Sequence, residues 1–483
     1  MNIIINDFDD PELSEVTFKI LRDFKAQHCA AIYNNVPTKV PKHVKCDRFD
    51  WEKIIFFADY DVNWNNITPL DEEIIESYSQ TETVVIKMMD RLEVRRPLSY
   101  QMRKEMYLKH LRFWLDYIKK NHIDLFFSTN TPHEIYDFVI YDICKKQGIP
   151  TLFTHQSQID DTSLLLNDWQ KSIDNLPLIM SQLKGKPIKL SERFERIFSY
   201  YSHSNPTPGS KITLSYTNQR FTIHKIIQPI QVIIKLLTTL KRTIKRLPIY
   251  LVVYTRREII GISTAYLHWF YRQHTTKADL KQKYIYFPLH YQPELTTSPG
   301  AGEFVNQVLI ATLLSHYAPK NVLIYIKEHP AQNARCRSTS YFRELLNMPN
   351  VRLMPVKTST YELIDHAQAV ATGMGTAGWE GIFRGKPVLM FGHDFYQYAP
   401  GVFPIKTNAD CAKAMTQIFT GQYKYDENNL RIFLKAVEMT TISGTTDLLY
   451  RQQFGVNEAQ NSQNIYGAIA KRLTDMGFAK NDR

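Results

Sequence analysis

A chain of 483 residues is too long for one ordinary hydrophobic core, and two domains of about 200 residues each are expected. With 44% hydrophobic and 22% charged residues, the composition is that of a folded soluble protein. The net charge of +11 is local: residues 225–272 hold nine Lys/Arg and one acid, Glu258, a surplus of +8 that leaves +3 elsewhere. Those basic residues alternate with aliphatics rather than stacking aromatics, which argues against a nucleic-acid reader. Five scattered cysteines without metal-ligand spacing point to free thiols in a reducing cytoplasm. The start of the chain lacks a basic and apolar leader, and no apolar run reaches the roughly 20 residues that cross a bilayer.

Residues 1–220 read as an N-terminal α/β domain. The chain opens on the strand-like Asn2-Ile-Ile-Ile5, and Lys53-Ile-Ile-Phe-Phe-Ala58 reads as a strand before a polar loop. Residues 70–96 and 100–121 have helical periodicity, separated by Pro97. A βαβ unit follows: strand 123–127, the loop Ser128-Thr-Asn-Thr-Pro-His-Glu134, helix 135–147 closed by Gly148, and strand 149–153. Asn130, His133 and Glu134 fall in the strand-end loop. Asp160 and Asp161 fall in the next one, and Asp59 and Asp61 after the earlier run.

Residues 221–280 read as a basic amphipathic helical connector, suited to an anionic membrane surface or to packing between domains. A second α/β domain spans 281–440, and a helical tail, 441–483, is expected to pack back on the first. The densest pattern lies at 284–404, where strand, loop and helix alternate with polar or Gly-rich residues after each apolar run. In an open parallel sheet, ligands bind outside the carboxyl ends of the strands.

Each loop there has a functional and a structural reading. Phe287-Pro-Leu-His-Tyr-Gln-Pro-Glu294 carries His290, Gln292 and Glu294 either into a cleft or into an elbow, and residues 296–300 are expected to open the next helix. Lys327-Glu-His-Pro330 sets His329 on an extended backbone before Pro330, to meet a nucleotide or simply to end a strand. Thr358, Ser359 and Thr360 precede a helix, as hydroxyl caps or phosphate ligands. Gly373-Met-Gly-Thr-Ala-Gly378 leads into a helix whose first turn holds Glu380; its spacing matches neither the dinucleotide fingerprint nor the P-loop. No D-x-D sits at a clear strand end, so neither a metal nor a cofactor is expected.

These motifs resemble the bacterial capsular polysaccharide biosynthesis family, which includes the export-linked Kdo transferases of capsule assembly. The similarity rests on Tyr286-Phe-Pro-Leu-His-Tyr-Gln-Pro-Glu294, Lys327-Glu-His-Pro330, Gly375-Thr-Ala-Gly-Trp-Glu380 and Gly385-Lys-Pro-Val388, with Pro132-His-Glu134 and Gly148-Ile149 a thinner match. It implies a GT-B fold, with two Rossmann-like domains facing a cleft, the donor in the second and the acceptor in the first. By that likeness Lys327, His329, Pro330 and residues 358–360 would contact a CMP-linked Kdo or sialic-like donor. Gly375, Thr376, Ala377 and Gly378 would hold its phosphate, and Glu380 a ribose or sugar hydroxyl. His133, Glu134, Asp160 and Asp161 are the candidates for catalysis, and Asn130, His290, Gln292 and Glu294 for the sugar. The expected activity is metal-independent glycosyl transfer to a capsule or other surface-polysaccharide acceptor, on the cytoplasmic face of the membrane. A UDP-sugar transferase, a nucleotide-sugar 2-epimerase and a non-catalytic assembly protein are the alternatives.

Overall fold

The computed structural model describes residues 1–8, 10–34, 39–93, 95–203 and 247–480. Two sheets organise the chain. The first contains β1 (Asn2–Asn6), β2 (His28–Tyr33), β3 (Lys45–Asp50), β4 (Leu125–Ser128), β5 (Thr151–Gln156), β6 (Thr162–Leu166) and, from the far end of the sequence, β13 (Thr441–Ser443). Their order is β3-β2-β1-β4-β5-β6-β13, parallel through β5 and antiparallel for the last two. The second sheet runs β9 (Val351–Met354), β8 (Leu323–Lys327), β7 (Tyr284–Pro288), β10 (Ala369–Thr372), β11 (Val388–Met390) and β12 (Val402–Pro404), all parallel.

Both orders reverse at a central pair, β1 beside β4 and β7 beside β10. That reversal is the topological switch point of a doubly wound sheet, where loops diverge and leave a crevice. The strands around it are buried on both faces, as helix-covered parallel strands must be: Ile3, Ile4, Ile5, Ile285, Val370 and Ala371 are each 0% exposed. The two lobes touch, as in the contact of His155, near the end of β5, with Asp394 at 3.6 Å and the bond from Arg91 Nη2, on the turn Met89–Leu92, to the backbone carbonyl of Ser298 at 2.5 Å. The expected fold, two Rossmann-like lobes facing a cleft in the GT-B manner, is present.

The C-terminal segment crosses back. Beyond β13, the helix Glu458–Asp475 packs Ile465, Ile469 and Leu473 against Leu13, Val16 and Ile20 of the helix Pro11–Asp23. Fully burying each such side chain is worth about 1.5–3 kcal/mol.

Several elements differ from the sequence reading. The run 53–58 is part of a helix, Trp51–Phe57, not a strand: Asp50 Oδ1 caps it at Lys53 N (3.2 Å), and Ile54 and Ile55 turn inward while Phe57 stays 58% exposed. The strand lies just before it, in the polar, half-exposed edge segment β3. The stretch 70–96 is broken into helices Glu72–Ser77 and Ser79–Met88 and a 3-10 turn Met89–Leu92. Residues 296–300 form no helix; a 3-10 turn, Gly302–Val305, follows them and the next α-helix begins at Gln307. The helix Thr376–Phe383 starts earlier than expected, which moves Glu380 out of the first turn.

Of the connector, residues 221–246 lie outside the described residues. Residues 247–273 form one long helix, Leu247–Gln273, with Pro248 in its first turn, where a missing N–H costs nothing. Among the described residues no helix is long and apolar enough to cross a membrane.

Candidate active site

In the N-terminal lobe the loop after β4 carries the chemistry. Asp137, near the start of the helix Tyr136–Lys146, accepts from the backbone N–H of His133 (2.9 Å) and of Glu134 (2.6 Å), folding the loop back on itself. Between them Ile135 sits at φ +73°, ψ −77°, and Tyr136 N donates to Glu134 O at 2.9 Å. This is a γ-turn with positive φ, costly for a β-branched residue at about 1–3 kcal/mol. The turn fixes Glu134, whose Oε2 accepts from Trp51 Nε1 at 2.6 Å.

Burial, reinforced by the neighbouring Asp137 charge, pushes the Glu134 carboxyl up to about 7. Burial likewise raises Asp137 to about 6. His133 donates through Nδ1 to Thr131 O (2.7 Å), and burial together with Arg91 holds it down to about 4, so it is neutral. Asn130 accepts from Thr131 N at 2.8 Å through Oδ1.

Arg91 supplies the positive charge facing this loop. Its guanidinium acts on Glu134, Asp137 and Glu294, and so joins the carboxylates of both lobes. Glu294 accepts from Thr296 Oγ1 at 2.8 Å, and burial raises its pKa.

In the C-terminal lobe, Lys327 ends β8 and donates through Nζ to Thr358 O (2.9 Å) and Thr360 Oγ1 (2.5 Å). Burial lowers this ammonium to about 8 against the pull of Glu380. Glu380 is raised to about 7 by burial and accepts from Tyr361 OH at 3.3 Å. Tyr200 and Tyr201 lie within electrostatic reach of both Glu380 and Asp160. Ser359 caps its helix by accepting from Glu362 N at 3.3 Å. His329 accepts from Ala331 N at 3.2 Å through Nδ1, leaving Nε2–H as its donor. Burial, then Arg337, holds His329 down to about 4, and exposed Pro330 follows it.

The switch point itself is filled by protein. His290 Nε2 accepts from Gly373 N at 2.8 Å, and its ring lies where a Cβ at Gly375 would come within 2.4 Å of it. A Cβ at Gly378 would meet Tyr396 OH at 2.6 Å. Both glycines are therefore demanded by side-chain packing, a reason the sequence does not display. Gly375 caps the helix Thr376–Phe383 without a side chain, with Thr376 exposed and Ala377 buried behind it. Gln292 and His290 are bound up with a buried ion pair: Arg337 reaches Glu328 Oε2 at 3.0 Å, His290 O at 2.9 Å and Gln292 Oε1.

Asp160 and Asp161 pair with Arg196 (3.9 Å) and Arg193 (3.0 Å) of the helix Glu192–His203 rather than with the Glu134 loop. Among the described residues no group of three or more His, Cys, Asp or Glu could hold a metal ion. No sequence motif marks Arg91, Trp51, Asp137 or Tyr361. Arg91 reaches its partner carbonyl across 207 residues, and nothing local announces that.

No curated protein matches the sequence. Among solved structures, the Thermosulfurimonas dismutans KpsC beta Kdo 2,7 transferase aligns at 12% identity over 77% of this chain and 90% of its own, TM-score 0.31. The UDP-GlcNAc 2-epimerase of Methanocaldococcus jannaschii aligns at 12% identity, 91% and 99% coverage, TM-score 0.26. Anabaena HepE, in complex with UDP and glucose, aligns at 10% identity, 97% and 98% coverage, TM-score 0.24. Residues 271–410, which carry β7–β12 and every C-terminal-lobe residue of the site, match the model of the capsule polysaccharide biosynthesis protein family. Through that segment the chain is similar to the capsule polysaccharide biosynthesis family.

Proposed function

We propose that the protein is a glycosyltransferase, moving a sugar from a nucleotide-linked donor held by the C-terminal lobe to a surface-polysaccharide acceptor held by the N-terminal lobe. The donor we assign is a CMP-linked ulosonic acid of the Kdo or sialic type. The observation that carries the reading is Glu134, a carboxyl fixed on a strained turn at the facing edge of the N-terminal lobe and brought to about 7. A general base works best when its pKa lies near the operating pH, and Glu134 has that property for an acceptor hydroxyl.

Across the cleft, Lys327 and the Nε2–H of His329 meet the donor phosphate, and Glu380 accepts from a ribose hydroxyl. In this mechanism Lys327 and His329, rather than a metal, take the phosphate charge. His290 and Gln292 hold the loop rather than touch the sugar, since their polar atoms already bond within the lobe. Incubating the protein with CMP-Kdo, CMP-sialic acid or a UDP-sugar tests the reading. Nucleotide release that depends on added polysaccharide acceptor supports transfer; release of an epimerised sugar with no acceptor would replace it with epimerisation.

His329→Ala removes one donor to a charged group, worth about 1.5 kcal/mol or roughly tenfold in affinity. Titration calorimetry should show that loss for CMP with the unfolding temperature unchanged, and equal affinity would remove His329 from the site.

Membrane attachment is part of the proposal. On the helix Leu247–Gln273, Leu267, Phe270 and Tyr271 are buried, while Ile259, Ile262, Tyr266 and Trp269, spaced as one helical stripe, are 62%, 72%, 53% and 50% exposed. Contiguous exposed apolar surface of this kind marks an interaction site, and Tyr and Trp favour the bilayer interface. Exposed Arg257 and Arg272 flank it, and the preceding sequence is basic. Ile262→Glu with Trp269→Glu should lower co-sedimentation with anionic vesicles at least tenfold while leaving the circular dichroism spectrum unchanged. Undiminished sedimentation would assign the stripe to another partner.

A further inference from the structure

A groove of about 420 Å³ lies open between the lobes, and neither Glu134 nor Glu380 lines it. That volume falls within the roughly 300–1,000 Å³ typical of small-molecule sites. The helix Tyr136–Lys146 and the 168–170 turn form one wall; residues 301–304, 391, 393 and 406 form the other.

Its chemistry is balanced. Lys145, Lys146 and Lys406 line it together with Asp142, Asp168 and Glu303, so the formal charges cancel. Two of the lysines are turned toward acids: Lys145 to Asp168 at 2.9 Å and Lys146 to Asp142 at 3.7 Å. Such a wall offers ammonium donors beside carboxylate acceptors, which suits a ligand whose every group both donates and accepts. Hydroxyls do this; carboxylates and phosphates only accept. The aromatic side chains of Trp169 and Phe304 add apolar surface.

The groove borders a second cavity. Trp169 and His393 line both, and the second, narrow one is bounded by Thr131, Gly300 and Met374. Thr131 belongs to the Glu134 loop, and its carbonyl accepts from His133.

We infer that this groove binds an uncharged, polyhydroxylated chain, the neutral stretch of an oligosaccharide whose end points toward the Glu134 loop. The inference rests on the glycosyltransferase reading for the identity of that chain as acceptor, and on the groove alone for its carbohydrate chemistry. Glu303 and Gln80 are exposed on opposite walls, so tryptophan at either position fills the groove without disturbing a core.

The test is a printed array of neutral and of carboxylate- or phosphate-bearing oligosaccharides, probed with the wild-type chain, Glu303→Trp and Gln80→Trp, beside a CMP and UDP thermal shift on each. Retention of neutral glycans that falls at least tenfold in both variants, with the wild-type nucleotide shift preserved, supports the groove. No retention, retention of acidic glycans only, or variants that bind like wild type would overturn it. Glycan retention without any nucleotide shift would leave the groove standing and remove the donor reading.

Discussion

Glu134→Gln is expected to lower kcat about a thousandfold while changing nucleotide affinity less than threefold. General-base catalysis contributes roughly 10²–10⁴. The amide keeps the shape and can still accept from Trp51 Nε1, so the variant removes the proton acceptor and little else. The pH profile gives the second arm. Burial first, then Asp137, raises the carboxyl to about 7. The active form is the ionised one, so wild-type kcat should rise with pH through about 7 and level off above it, a rise the variant lacks. Equal losses in kcat and nucleotide affinity would deny Glu134 a role in proton transfer.

The sign for stability is opposite. A carboxyl at about 7 in the folded chain and 4.5 in the unfolded one binds more protons when folded. That contribution is therefore present at low pH and lost as pH rises through about 7.

The second large effect concerns folding. Arg337→Met should cost about 3–5 kcal/mol, because it strands Glu328 as a buried charge without its partner. The Arg337 side chain is 0% exposed and that of Glu328 4%, and the same guanidinium satisfies His290 O and Gln292 Oε1. Adding Glu328→Gln should recover part of the loss, since the stranded charge goes with it. Urea unfolding measures both; a single-variant cost under about 1 kcal/mol would show that the pair is dispensable. Nucleotide binding should weaken with it, because His290 sets Gly373 and so the start of the Gly-rich loop.

The parts of the fold legible in the sequence are those where local pattern and tertiary demand agree. The runs Ile3-Ile-Ile5, Val322-Leu-Ile-Tyr-Ile326 and Ala369-Val-Ala371 are apolar because helices cover both faces of their strands, and each gives way to a polar loop at the cleft. Lys53-Ile-Ile-Phe-Phe-Ala58 misleads because a short apolar run fits a strand or one buried helix face equally, and Asp50, its cap, lies before the run. Edge strand β3 hides behind its polar residues.

The site divides the same way. Glu134, Lys327, His329 and Glu380 stand in strand-end loops or just after them, where sequence reasoning looks for chemistry. Arg91, Trp51 and Tyr361 take their places through contacts distant in sequence or on another element, and no spacing records them. The glycines at 375 and 378 suggest a bare backbone for a phosphate, yet it is His290 and Tyr396 that occupy the space.

The most direct measurement is calorimetric titration of the wild-type chain and Glu380→Gln with CMP, UDP and GDP. Saturable binding of CMP in preference to the other two, weakened at least tenfold in Glu380→Gln, is the expected result. Binding of none of the three, or binding that ignores the substitution, would contradict it.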